Sequence, residues 1–416
     1  MKFDTILIGG GLAGLTCGIQ LVGQGKKCLI VSSGQSALHF SSGSFDLLNQ
    51  VNGEAISNPI EAIDRLSILN PSHPYAKIGK ANVVSYARQA KALLERTGVE
   101  TVGEENKNHF RITPLGILKP TWLSVPDYAV SPDDKALPWK KVSIFNIAGF
   151  LDFHPTFICE QFEKMGTQSD ILTIDTPELD ILRRNPSELR ATNISQLFEN
   201  ETAFRNLAGI MRKGRNHSEA IIIPACLGLN GNSISKLSAM IDCPVYMIPT
   251  FPPSLAGIRS QRRMMKYFQK SGGYYMLGDV VNNIQIAPDG SFQVTTGNHG
   301  DVRFCSSNLV LATGSFFSRG IVALRNKIVE PVMGLDTYSS DDRNEWYAEN
   351  FFDDQKYQYY GVKTNDTFQV MKEGKVIENF YAAGAILSGF NPLKEGCGSG
   401  VSLLTALHIA GQILKK

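Results

Sequence analysis

Phe3-Asp4-Thr5-Ile6-Leu7-Ile8-Gly9-Gly10-Gly11-Leu12-Ala13-Gly14 decides the fold of this chain. Residues 3–8 are a short apolar run that suits a buried parallel strand. The glycines fall as Gly9-x-Gly11-x-x-Gly14, and residues 12–22 read as a helix of small and apolar residues. Cys28-Leu29-Ile30-Val31 makes a second short strand. This is β-α-β in about 30 residues, the size of a mononucleotide-binding half. Gly9 permits the tight turn, Gly11 lets backbone approach a phosphate, and Gly14 lets the helix sit close to the sheet. The helix N-terminus adds free N–H groups and a partial positive charge of roughly half a unit.

Working outward, 416 residues with 43% hydrophobic and 19% charged residues describe an ordinary globular chain. A net charge of +2 gives no electrostatic case for nucleic acid. The seven cysteines are scattered without a C-x-x-C pair, so no disulfide framework, metal site or iron–sulfur cluster is expected. A reducing, cytoplasmic compartment fits that usage. Asp4 and the triple glycine break the signal-peptide pattern, and no run approaches the roughly 18 apolar residues of a membrane span. Membrane contact would then be peripheral, through a partner.

The fold expected is α/β: a Rossmann-like flavoprotein with an inserted mixed α/β second domain. Residues 1–50, 256–320 and 376–416 would build the nucleotide-binding domain. Residues 51–255, where prolines recur, would form the insertion, and 321–375 a return segment. Within the insertion, residues 220–223 and 245–248 resemble strands flanking a helix that begins near Ser233. Later, Arg259–Lys270 reads as a helix closed by Gly272-Gly273, and Pro288-Asp289-Gly290 as a hairpin turn. Leu309–Leu311 runs as a strand into Ala312-Thr313-Gly314, and Tyr381-Ala382-Ala383-Gly384 is another strand-to-glycine turn. Gly396-Cys397-Gly398-Ser399-Gly400 opens the final helix.

A dinucleotide site usually places an acid about 20 residues downstream, on the ribose. Here the second strand ends Val31-Ser32-Ser33. Losing one charge-assisted hydrogen bond costs about 1.5–3 kcal/mol, roughly 10- to 100-fold in affinity. FMN, which has no adenosine half, does not miss the acid; FAD is the alternative, and the lack of a nearby Arg disfavours NADP. A glycine-rich helix start at Gly396–Gly400 suits the negative charge a reduced flavin gains near N1 and C2=O.

Three stretches now carry a resemblance. They are the opening through Leu21, the run Gly34-Gln35-Ser36-Ala37-Leu38-His39-Phe40-Ser41-Ser42-Gly43-Ser44-Phe45-Asp46-Leu47-Leu48, and Thr113-Pro114-Leu115-Gly116 continuing to Thr121-Trp122-Leu123-Ser124. With the closing glycines, the chain resembles the B-subunit family of anaerobic glycerol-3-phosphate dehydrogenase. The resemblance implies FMN, a larger flavin-containing A subunit of the same dehydrogenase, and a membrane-anchoring iron–sulfur C subunit. It also implies oxidation of sn-glycerol 3-phosphate to dihydroxyacetone phosphate, with electrons passing to quinone and on to fumarate or nitrate.

Gly9, Gly11 and Gly14 are expected to cradle the flavin phosphate. Ser32, Ser41, Ser42 and Gly43 follow the second strand, where small hydroxyl residues suit the ribityl chain. Gly314 is expected close to the bound nucleotide, and Gly384, Gly396, Gly398 and Gly400 around the ring. For catalysis His154 and, on the same footing, His39 are the candidate bases, and Arg259, sharing a helix face with Arg262 and Arg263, is the candidate phosphate cation. Arg111 and Lys119 are weaker cation candidates. Within the leading reading, whether this chain oxidises the substrate or relays electrons from its partner stays open; so do two other readings, a free-standing flavin enzyme on another substrate and a scaffold protein that binds no flavin.

Overall fold

The computed structural model describes residues 1–416. Strand β1 (Lys2–Ile8) passes through the glycine turn into helix α1 (Leu12–Val22) and strand β2 (Cys28–Ser32). β1 and β2 pair in parallel, with Ile8 opposite Val31. Every residue of β2 is buried, because a parallel strand covered on both faces carries no polar side. Gly14 is needed for packing: a Cβ there would lie 1.9 Å from the Gly9 carbonyl oxygen.

Helix α2 (Lys80–Arg96) lays Val83, Ala87, Ala90, Leu93 and Leu94 into the same core as β1 and α1. That spacing is one apolar stripe of a 3.6-residue helix. Residues as far as Val99 therefore pack in the first core, although the sequence pattern groups them with the insertion; Trp122 and Leu123 join them. Strands β3 (His109–Ile112) and β4 (Leu118–Thr121) form a hairpin, and Val130–Ser131 pairs with the free edge of β3. Beyond it lies a second parallel sheet, in spatial order Val245–Ile248, Ala220–Pro224, Lys141–Ile147, Gln168–Ile174. It has a separate core with helix Ser233–Ile241 in the expected place.

Helix α3 (Leu255–Lys270) returns the chain to the first sheet, where β5 (Tyr274–Leu277) pairs with the outer edge of β2. A hairpin turning at Pro288-Asp289-Gly290 follows. Strand β6 (Phe304–Leu311) lies on the other side of β1, and β7 (Lys375–Ala382) beside β6. The parallel order is thus β5-β2-β1-β6-β7, with the direction of winding reversing between β1 and β6. Helix α4 (Gly398–Leu414), buried on almost every side, packs against α1 and α2. All seven cysteines are free. Among the described residues, no helix is long and apolar enough to cross a membrane.

Candidate functional site

The ends of β1, β6 and β7 are in register: Ile8 faces Leu311, and Leu311 faces Ala382. The turns after them therefore leave the sheet side by side, at the strand-end crevice where open α/β sheets bind ligands. A Cβ on Gly9 would lie 2.2 Å from the Ala312 oxygen, so the first two turns touch. Gly384, at φ +76°, fits between the two helix starts: a Cβ there would lie 2.8 Å from Ala13 Cβ and 3.2 Å from Ser402 Oγ. Ser402 in turn donates to the Gly398 carbonyl at 2.8 Å. Gly384 thus lies between the first turns of α1 and α4, the helices that begin next to Gly11 and at Gly398.

Both long helices start without a side-chain cap, although the Gly400 amide of α4 is taken by the Asp46 carbonyl. Neither has an acid in its first turn. Their positive ends point toward the same region. The backbone at Gly11 is extended, and the nearest atom to a Cβ there is Ser36 Cβ at 3.7 Å. A Cβ there would thus meet nothing closer than an ordinary van der Waals contact. Thr313 Oγ1, beside Gly314, and Ser44 Oγ are buried hydroxyls without a partner, an arrangement that costs about 1–3 kcal/mol each unless a ligand satisfies them. Uncapped helix starts, room for a Cβ at Gly11 and orphaned hydroxyls together fit a phosphate-bearing flavin.

Residues 32–46 wrap the site. Ser36 Oγ donates to Gln261 Oε1 at 2.8 Å, and Tyr275 OH donates to the Gly10 carbonyl at 3.2 Å. Ser32 is buried and spends its hydroxyl proton on Gly34 O. Ser41 Oγ is committed to its own turn, donating to Leu38 O and accepting from the Gly43 amide. Ser42 Oγ accepts from the Ser44 amide and keeps its proton to donate. Gly43 packs its α-carbon on Ala256, at the start of α3. Asp279, whose amide donates to the Ser32 carbonyl at the end of β2, has both carboxylate oxygens engaged by Val280, Asn298 and His299.

Several expected residues stand elsewhere. His154 is exposed at the start of helix Pro155–Lys164, edge-on to Phe157 and Phe251, and has no hydrogen bond to the glycine turns. Arg259 is buried, donating to Gly228 O at 2.8 Å with Asp127 at 3.9 Å. It lines a cavity of about 90 Å³ with Arg263, Glu100 and Asp127, not with the glycines. Arg262 is exposed. Two positions along α3, roughly 160° round the helix, Gln261 is the side chain that reaches Gly10. Gly396 and Gly400 make room for protein: a Cβ would meet Asn49 at 2.4 Å and the Tyr75 hydroxyl at 2.2 Å.

The structure instead brings four residues of β3 and β4 to the start of α4. Asp46 is fixed there: its amide donates to Ser399 Oγ at 2.6 Å, and its carbonyl accepts from the Ser399 hydroxyl and the Gly400 amide at 2.9 Å each. Asp46 Oδ1 accepts from Thr121 Oγ1 at 2.7 Å, Oδ2 pairs with Lys119 Nζ at 3.1 Å, and Arg111 Nε donates to Thr121 Oγ1 at 3.1 Å. His109, two residues before Arg111 and so on the same strand face, has Nε2 2.6 Å from Ser124 Oγ. Burial is the main cause that lowers its pKa, so it is neutral at pH 7. The alternation His109-x-Arg111 is the sequence signal for this group, hidden by its irregular proline-rich context.

The scattered cysteines predict no metal site, yet His73, Glu395 and Cys397 hold their ligand atoms within 4.8 Å of one another. Hydrogen bonding explains the grouping. His73 Nδ1 accepts from the Tyr75 amide at 2.9 Å, so its proton sits on Nε2, 3.3 Å from Glu395 Oε2. Cys397 donates to the same oxygen at 3.4 Å, and burial pushes that thiol well above its usual pKa.

Comparison with known proteins gives the family. Residues 4–401 match the family described as FAD binding domain. The chain is 43% identical over its whole length to the B subunit of anaerobic glycerol-3-phosphate dehydrogenase from Yersinia enterocolitica, covering 98% of that protein. The corresponding protein of Pectobacterium atrosepticum is 40% identical, with 100% of this chain and 99% of the relative covered. Among solved structures, quinol fumarate reductase of E. coli aligns with 100% of this chain and 70% of that one, at TM-score 0.44 and 9% identity. A flavin-binding α/β fold and full-length likeness lead to one assignment: the chain belongs to the B-subunit family of anaerobic glycerol-3-phosphate dehydrogenase.

Proposed function

We propose that this chain is the flavin-carrying B subunit of an anaerobic glycerol-3-phosphate dehydrogenase. It acts with a larger flavin-containing A subunit and an iron–sulfur C subunit, at the cytoplasmic face of the inner membrane. The complex oxidises sn-glycerol 3-phosphate to dihydroxyacetone phosphate and passes the electrons to quinone. One observation carries the reading at the level of chemistry: two uncapped helix starts, α1 and α4, meet across Gly384.

The amides at the start of α1 hold the flavin phosphate, with Gly11 leaving the approach clear. The hydroxyls of Ser42, Ser44 and Thr313 supply polar partners, and the positive end of α4 favours the pyrimidine edge as it becomes anionic. When bound, the flavin supplies the two-electron acceptor for hydride from C2 of the substrate. We assign acceptance of the hydroxyl proton to His109 rather than His154. The role requires the tautomer in which Nε2 donates to Ser124 Oγ, 2.6 Å away, so that Nδ1 of the neutral ring is left to accept. FMN is the form supported by the missing acid at Ser32-Ser33 and the engaged carboxylate of Asp279.

Chromatography of the cofactor released by heating the purified chain tests this. FMN at one per chain is the expected result. FAD would overturn the FMN assignment alone, and absence of any flavin after reconstitution with either would overturn the whole reading.

A further inference from the structure

We propose that Arg111 and Lys119, at the start of α4, are the receptor for the phosphate of a phosphomonoester substrate. The proposal rests on the reading above and names the site that reading lacks. Arg111 and Lys119 face each other directly across the β3–β4 hairpin. Like charges in that position repel and destabilise the pair, so the arrangement requires anions. The chain supplies one, Asp46, and it is divided between Thr121 and Lys119.

Arg111 is left over. Its side chain is only 8% exposed, and among the described residues no carboxylate lies within ion-pair range of it. Its side chain donates through Nε alone, to the neutral Thr121 hydroxyl. Its two terminal nitrogens have no protein partner and are not among the fully enclosed unpartnered atoms, so they are left to face open space. Its planar fork is suited to two oxygens of a phosphate.

The surroundings add to the field. Asp46 is bolted through Ser399 and Gly400 to the first turn of α4, so the cluster sits at that helix's positive end. Two cations against one carboxylate leave one positive charge before the helix end is counted, which matches a dianion better than a neutral polyol. His109 lies two residues along the same face as Arg111, so an anion held here would bring the rest of a small molecule beside that imidazole. Arg259 cannot serve in its place, since Gly228 and Asp127 already occupy it.

Calorimetric titration of the flavin-loaded full chain tests the site, with inorganic phosphate, sn-glycerol 3-phosphate and glycerol as separate ligands. The wild type should bind both phosphates and not glycerol. Arg111→Gln should weaken phosphate roughly 10- to 100-fold, the worth of one charge-assisted hydrogen bond, with flavin content unchanged; Arg111→Lys should recover part of the loss. Phosphate binding that is indifferent to Arg111→Gln, or absent from the wild type, overturns the proposal. Loss of inorganic phosphate binding in Arg111→Gln, with no binding of sn-glycerol 3-phosphate by the wild type, upholds the anion site and overturns the substrate reading instead.

Discussion

Replacing Gly11 by valine should separate cofactor binding from folding, and the structure sets both magnitudes. Gly11 is the N-cap of α1 with φ −82° and ψ −167°, backbone that any residue adopts. A Cβ would find its nearest neighbour, Ser36 Cβ, at 3.7 Å, an ordinary contact. The cost to the flavin-free protein is then that of a poor N-cap residue, about 0.5–1 kcal/mol. For a chain of 416 residues that corresponds to a fall in Tm of roughly 0.5–1 °C. Binding should suffer far more, because the added side chain occupies the space through which phosphate reaches the helix amides. Losing even one charge-assisted hydrogen bond costs about 1.5–3 kcal/mol, or roughly 10- to 100-fold in Kd. Gly14→Ala provides the contrast: its Cβ would sit 1.9 Å from the Gly9 oxygen, a backbone atom, so the fold itself must give. Differential scanning calorimetry of the apoproteins and fluorimetric titration with FMN read the two quantities separately. Gly11→Val that keeps wild-type FMN affinity, or that unfolds the apoprotein as severely as Gly14→Ala, would refute the reasoning.

Other substitutions follow from the same contacts. His109→Gln should lower kcat for dye reduction by sn-glycerol 3-phosphate in the assembled complex by roughly 10²- to 10⁴-fold with KM little changed, whereas His154→Gln should leave kcat as it is; equal kcat in wild type and His109→Gln would rule out the proton-accepting role. Gly257→Ala places a Cβ 1.8 Å from the Leu38 carbonyl oxygen, so α3 must move off the 37–40 turn at about 1–3 kcal/mol, and an unchanged Tm would show that packing to be wrong. Stability should also depend on pH in a defined direction. Burial lowers the pKa of His39, His109 and His408 below that of the unfolded chain, so unfolding takes up protons: the stability they contribute is full above about pH 6.5 and lost as pH falls through the lowered folded values. Chemical denaturation between pH 8 and 5 should show this slope, and His109→Gln should flatten it; a slope unaffected by that change would contradict the burial of this ring.

The parallel core was legible because its signals are local. The apolar run before Gly9, the helix of small and apolar residues after Gly11 and the strand-to-glycine turns at Gly314 and Gly384 each lie within a few residues, and the structure forms all of them. What could not be read were partners far apart in sequence. Nothing adjacent to Asp46 indicates that it locks onto Ser399, 353 positions away. The spacing Arg259, Arg262, Arg263 shows that helix positions share a side, but not which side meets the glycines. The structure gives that place to Gln261 and turns Arg259 toward Gly228. Likewise Gly396 and Gly400 look like ligand glycines, while their missing side chains accommodate Asn49 and Tyr75. The helices before Val99 carry core stripes of their own, and composition alone does not say which core receives them.

A structure of the flavin-loaded protein would settle where the phosphate and ring lie. The phosphate should appear within hydrogen-bond range of the amides of Leu12 and Ala13, with the ring against Gly384 and the first turn of α4. A flavin lodged away from these residues, for instance in the cavity between Arg259 and Glu100, would contradict the assignment of the site.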